Sequence, residues 1–385
     1  MAEPNRKSSA LVPAVFLPSD FEYGAVPSTE GSAGQSSVAP ETPSLGPLTA
    51  FRGTFTGPGF NSIFRPDLGT TTKLAKPVQS DNLLELNLTH HTLSFSRPLG
   101  SVPNRGEFQH DIFLNGVTYL LTVTDVTRPE DPIGIHFEPG LWMCVPPTTD
   151  PAEEQTLVRM ASIPHGTTIC AQGTSRTFSG PPSIPPVSMT PDIGRFDSQT
   201  ASNSGTARIP QDLTRFIKDG SITQDILDDP NTILRDAIAH QNITSTTSIG
   251  VSDNPSSPLF GGGTVNMAFL LGNSARTAPN AQTTEMSSFF WIETVKHVIN
   301  VPAWSPGQPP LTIPAETPGA PATMFSVHPP AAVTRPRTLT VTSTQIQFSQ
   351  RVVLNFLGIL WPHISVATLV PAFPVEVPAS AWPSS

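Results

Sequence analysis

The sequence predicts a mainly β fold: an antiparallel barrel, or two of them, with a small helical insertion and long proline-rich loops. Three observations carry this. Runs of alternating apolar and polar residues recur along the chain, as in Val117, Tyr119, Leu121 and Val123 set against Thr118, Thr122 and Thr124, the period of a strand with one buried face. Proline is abundant, at 44 of 385 residues. Each one removes a backbone donor and fixes φ, which suits loops and edges and opposes a helical bundle. Helical spacing appears in a single region, between Ile209 and His240.

Taken in order, residues 1–47 read as a lead-in: Leu11 to Phe21 is apolar enough to dock, and Gly24 to Pro47 is rich in Ser, Gly and Pro. The segment 48–173 is a first β region. It opens with Phe51-Arg-Gly-Thr-Phe55-Thr-Gly57-Pro-Gly59-Phe60, where glycines in a strand mark a bend, a bulge or a close backbone approach. No lysine or helical pattern follows these glycines, so a phosphate-cradling loop is excluded. Leu83–Leu88 and Thr92–Ser96 read as a hairpin about Thr89-His90-His91. Asn115-Gly116 reads as a type I′ turn pairing 108–114 with 117–126. Strands at 133–145 and 156–172 continue the series, as in a meander or an up-and-down barrel.

The segment 174–242 is a proline-rich crossover with three short helices: one from Asp212 to Gly220, a turn at Thr223–Leu227, and one at Asp229–His240 with Pro230 near its first turn. They suggest a plug between two sheets. A second β region spans 243–371, with strands at 244–251, 264–271, 285–301, 338–348, 351–356 and 364–370, and a tail follows at 372–385.

Composition narrows the function classes. Charged residues are 13 % of the chain, about half the usual share. With 21 basic residues, no basic run and a net charge of -9, neither a nucleic-acid surface nor an anionic membrane surface is expected. No apolar run reaches the length of a membrane-spanning helix, and no secretory signal is read at the N-terminus. The expectation is a cytoplasmic protein, with homo-oligomers left open. Cys144 and Cys170 are the two cysteines, and a single bridge or two free thiols both fit.

The densest group of ionisable and aromatic residues lies between Ile133 and Gly173. His136 and Glu138 are two apart on a strand and share a face. A carboxylate bonded to an imidazole fixes its tautomer and raises its basicity, which suits a general base. His165, between Pro164 and Gly166, is a second candidate. His136, Glu138 and His165 are therefore the expected catalytic groups. Phe51, Phe55, Phe137, Trp142, Trp361 and His363 are the expected ligand-binding groups. The chain holds 21 Phe and 5 Trp, and a barrel can line an apolar cavity with such rings. The histidine and cysteine spacings match no zinc motif, no Gly-x-Ser-x-Gly elbow stands between strand and helix, and no metal or other cofactor is expected.

The segments Phe51-Arg-Gly-Thr-Phe-Thr-Gly-Pro-Gly-Phe60 and His136-Phe-Glu-Pro-Gly-Leu-Trp142 resemble the calycin-type barrels of the lipocalin and fatty-acid-binding groups, and most closely the small barrels related to nitrobindin. Those open with Gly-x-Trp-x-Gly; here Phe55 stands at the tryptophan. The resemblance covers about residues 48–173. It implies a barrel that encloses a small, largely apolar molecule. Some relatives hold haem through one histidine, which the resemblance does not place in this chain. Three functions follow as expectations: binding of an apolar small molecule, with cofactor-independent acid–base conversion of isomerase, cyclase or dehydratase type; a haem-binding barrel; or a structural assembly protein without catalysis.

Overall fold

The computed structural model describes residues 42–66, 82–189, 209–210, 214–255, 261–271, 280–356 and 359–382. The docking segment expected at Leu11–Phe21 lies outside them. The fold is mainly β, with 57 % of the described residues in strands and 11 % in helices, built around a closed antiparallel barrel of 10 strands.

The barrel strands are β1 (Gly53–Pro66), β2 (Asn82–Phe95), β3 (Ile112–Asp125), β4 (Ile133–Val145), β5 (Thr156–Ile163), β6 (Thr167–Ser179), β7 (Asn242–Ser252), β8 (Gln282–Val301), β9 (Arg337–Phe356) and β10 (Ile359–Pro371). Each pairs antiparallel with the next in sequence, and β10 closes on β1. Strands from both β-rich stretches thus form one up-and-down barrel, which removes the exposed edges an open sheet would carry.

Several expected turns are strand interior. β2 runs unbroken through His90-His91, β3 through Asn115-Gly116, and β9 spans the expected break at Ser349-Gln350. The neighbouring strands explain this: β1 and β3 both pair His90-His91, β4 pairs Asn115-Gly116 through Cys144 and Met143, and β8 and β10 both pair Ser349-Gln350. The Asn115 side chain bonds the Pro43 carbonyl and the Gly100 amide instead of closing a turn. The glycines of β1 and β4 mark close approach. A Cβ on Gly59 would stand 2.4 Å from the Val366 carbonyl and 2.6 Å from the His91 ring, and one on Gly140 would meet the Tyr119 ring at 2.3 Å.

The helices do not plug a gap between two sheets. α1 (Thr214–Asp219), α2 (Gln224–Asp228) and α3 (Thr232–Ile238) pack outside the barrel wall. Phe216, Ile226, Leu227 and Leu234 meet Phe60, Leu84, Leu86, Ile364 and Val366 in one buried cluster. α1 stops where Gly220 takes a φ of +73°, and the Thr223 hydroxyl caps α2 by accepting from the Ile226 amide. The segment expected as a strand at 264–271 divides into a short strand, Gly263–Asn266, and a turn of helix, α4 (Ala268–Leu271). The proline-rich excursion at 304–336 contains two paired strands, Leu311–Ala315 and Thr323–Val327, joined by Val375–Glu376 from the expected tail. They cover the extensions of β8 and β9 beyond the barrel, around Phe325, Leu339 and Val341. Cys144 and Cys170 are free. Among the described residues no helix is long and apolar enough to cross a membrane.

Candidate functional site

The barrel interior changes character along its axis. At the end where β1, β3, β7 and β9 begin, aromatic rings fill it. Phe51 stacks on Phe95 with centroids 4.5 Å apart, and Trp142 meets Phe290 edge to face at 5.2 Å. The 3₁₀ turn Gly46–Ala50 carries the fully buried Leu48 into this cluster. Burial of such rings is the main apolar term holding the barrel closed.

The next layer is ionic. Arg159 of β5 is 1 % exposed and donates to Glu138 of β4 at 2.5 Å. Its other nitrogens reach the Tyr119 hydroxyl at 2.9 Å, Ser288 Oγ at 3.0 Å and Gln350 Oε1 at 2.7 Å. Tyr119 donates to Glu138. The guanidinium also lies over the Phe290, Tyr119 and Trp142 rings, at 5.3, 5.6 and 5.8 Å. Burial alone would drive the Glu138 carboxyl to its neutral form. The Arg159 charge and the bonds from His136 and Tyr119 overcome it and hold the group down to about 2. Burial and the Glu138 charge raise the Tyr119 hydroxyl. Glu138 is thus a buried carboxylate with both oxygens occupied, and it orients its neighbours.

Above this layer, at the other end, lies a cavity of about 190 Å³. Ile63, Leu121, Val123, Ile135 and Phe348 make its apolar wall, and Asn61, Glu85, Asn87, His136, His165, Gln350, His363 and Ser365 its polar part. His136 is half-buried, with Nε2 3.1 Å from Glu138 Oε2 and Nδ1 3.4 Å from His165 Nε2. Since the carboxylate only accepts, Nε2 carries the proton of that bond. His165 sits at the rim in the β5–β6 turn, open to solvent on one side, and is held below its ordinary pKa first by partial desolvation on its covered side and then by the nearby His136. His363 is pushed down to about 3, first by burial and then by His136 and His165. Beneath it, His91 is fully buried, bonds Thr89 at 2.8 Å and is held at about 3 by burial, His136 and His90.

The structure therefore brings His136, Glu138, His165 and His363 to one end of the barrel. The expected aromatic ligand groups lie elsewhere. Phe51, Phe55 and Trp142 belong to the packed interior cluster, where neighbouring rings already occupy the space. Phe137 is 49 % exposed, because its odd position in β4 turns it away from the interior that receives His136 and Glu138. Trp361 is buried with the outer helical layer. Sequence reasoning missed Arg159, Asn61, Asn87, Gln350 and Ser365. The one available signal was Arg159 in the apolar strand Leu157-Val-Arg-Met-Ala161, with Leu157 and Ala161 on its face. Among the described residues no three His, Cys, Asp or Glu side chains gather as a metal site requires.

No protein-family model matches this chain, and no curated protein matches it. It is similar to the crystal structure of Rv2717c from M. tuberculosis, at 10 % sequence identity and a TM-score of 0.33, over 86 % of this chain and 99 % of that one. A likeness that distant transfers neither ligand nor activity. The closed antiparallel barrel itself is compatible with a calycin-like architecture.

Proposed function

We propose that the chain binds a small, largely apolar molecule in the histidine-lined end of its barrel. The observation that carries this is the cavity itself: about 190 Å³, walled by carbon, with polar side chains converging on it above a buried ionic floor. Binding sites combine an apolar wall with a few placed polar groups. The volume lies below the roughly 300–1,000 Å³ of drug-sized sites, so the occupant is a small one.

A conversion of that molecule would use His136. Glu138 fixes its tautomer and His165 contacts its other nitrogen, the arrangement of a positioned proton carrier. Glu138 then acts through His136 and not on the ligand. Haem fits this site poorly. His363 supplies an imidazole facing the cavity, but a tetrapyrrole is itself drug-sized and exceeds the volume available.

The test is native mass spectrometry with an absorption spectrum, on protein purified from its own host. A retained mass of a small organic molecule is expected, lost in the cavity-filling variant Val123→Trp. A Soret band would replace this reading with a haem protein. A ligand-free mass, with no thermal shift from any small aromatic or aliphatic compound, would overturn it.

A further inference from the structure

The hydrogen bonds along the cavity wall have a direction, and the direction is set by groups that can act in one way only. Asp125 is a carboxylate, an acceptor. Its Oδ1 takes the Thr127 amide at 2.8 Å, and its Oδ2 takes Asn87 Nδ2 at 2.9 Å. Asn87 must therefore turn its carbonyl to Asn61, whose Nδ2 donates to it at 3.1 Å. Asn61 in turn presents its carbonyl to His363 Nε2 at 2.6 Å. That contact requires the proton on Nε2, so Nδ1 of a neutral His363 is a bare acceptor. The amide orientations follow from the carboxylates at the far end of the chain, since Glu85 Oε1 also accepts from Asn87 Nδ2, at 3.4 Å.

A second chain runs the opposite way. Arg159 has no acceptor atom, so the oxygen of Gln350 faces it at 2.7 Å. The Gln350 amide nitrogen is left with no partner among the described residues, and Gln350 lines the cavity. Gln350 of β9 stands directly opposite Ser365 of β10, and His363 is two residues along the same face. Diagonal neighbours of this kind are about 7–8 Å apart at the backbone, within reach of one small ligand.

From these two chains we infer that the ligand carries one neutral group that both donates and accepts, a carboxamide or a hydroxyl beside a carbonyl, with its donor toward His363 Nδ1 and its acceptor toward the Gln350 amide. This rests on the cavity reading above and narrows its chemistry. A hydrocarbon leaves both protein groups unpaired in a mostly apolar site, and an acceptor-only molecule leaves His363 unpaired.

Three isosteric probes separate the cases: benzamide donates and accepts, acetophenone only accepts, and cumene does neither. By calorimetry on the full chain, benzamide is expected to bind about tenfold more tightly than acetophenone, and acetophenone about tenfold more tightly than cumene. His363→Phe should remove the first preference, and Gln350→Met the second. Equal binding of all three overturns the donor–acceptor inference and leaves the apolar cavity standing. Binding of none overturns both. The relay has its own readout, which does not depend on a variant folding. In the long-range ¹H–¹⁵N spectrum of the unsubstituted protein at neutral pH, His363 should show a protonated Nε2 and a bare Nδ1. A proton on Nδ1, or on both nitrogens, overturns it.

Discussion

The two ends of the barrel are made by the same ten strands and do opposite things. At one end the interior holds Phe51, Phe55, Phe95, Trp142 and Phe290. At the other, the same face of the same strands carries Asn61, Asn87, His136, Gln350 and His363. Strand period keeps the direction of each side chain constant, so a change of residue type along one face turns packing into recognition without a change of fold. The Tyr119–Glu138–Arg159 layer divides them. Fold stability is concentrated on one side of it and ligand chemistry on the other.

The sharpest way to break that division is to remove the cation of the layer. Arg159→Met leaves Glu138 buried without its partner and should cost about 3–5 kcal/mol in urea unfolding. Arg159→Met with Glu138→Leu should recover much of the loss, since a buried pair replaced by apolar groups is often neutral. A single-variant loss below about 1 kcal/mol would mean that the layer holds nothing apart. Next in size, Phe290→Ala at the aromatic end should cost about 3–4 kcal/mol, with benzamide affinity in the folded protein changed by no more than about twofold. A matching loss of affinity would show that the ends are coupled.

The fold was legible where one alternating face repeated: Val117, Tyr119, Leu121 and Val123 all turn to the interior, and His136 and Glu138 meet as their spacing requires. Alternation says which residues share a face, but not which face is inside. Leu84 and Leu86 carry the apolar pattern of β2, yet they lie outside under helices, while Asn87 on the opposite face looks into the barrel. A wall with an outer helical layer is apolar on both sides, and the pattern cannot separate them. Asn61, Asn87 and Gln350 were illegible for a second reason. Their role comes from partners 26, 38 and 191 residues away, a matter of barrel closure and not of local spacing. Asn115-Gly116 misled because its turn chemistry was outweighed by pairing with Cys144 and Met143 of β4 and by the bonds of the Asn115 side chain to Pro43 and Gly100.

Acid should act on the cavity end and the layer just below it. His91 and His363 are both held at about 3 in the fold, against roughly 6.5 in an unfolded chain. Between those values the unfolded state binds more protons, so stability is fully present above about pH 6.5 and falls as pH drops toward 3. His91 alone contributes up to about 3 kcal/mol of that loss by pH 4. Glu138, held at about 2, adds a further loss only below roughly pH 4.5. Urea midpoints measured from pH 7 to 4 should decline steadily, and His91→Gln should flatten the curve. A midpoint unchanged across that range would show that these histidines take up protons in the fold as readily as in the unfolded chain.

The smallest effects test the comparison most finely, because they ask whether position alone decides what a side chain does. His165 at the rim and Phe137 on the outer face are both exposed and lie near the same end. Each should be nearly silent in stability: His165→Ala and Phe137→Ser should stay within about 0.5 kcal/mol of the unsubstituted protein. They should differ in binding. His165 lines the cavity and contacts His136 Nδ1 at 3.4 Å, so its loss should weaken benzamide severalfold. Phe137 points away from the cavity and should leave affinity unchanged. Equal weakening by both variants would mean that the ligand meets the outside of the wall, and that the polar end of the barrel is a packing solution like the aromatic one.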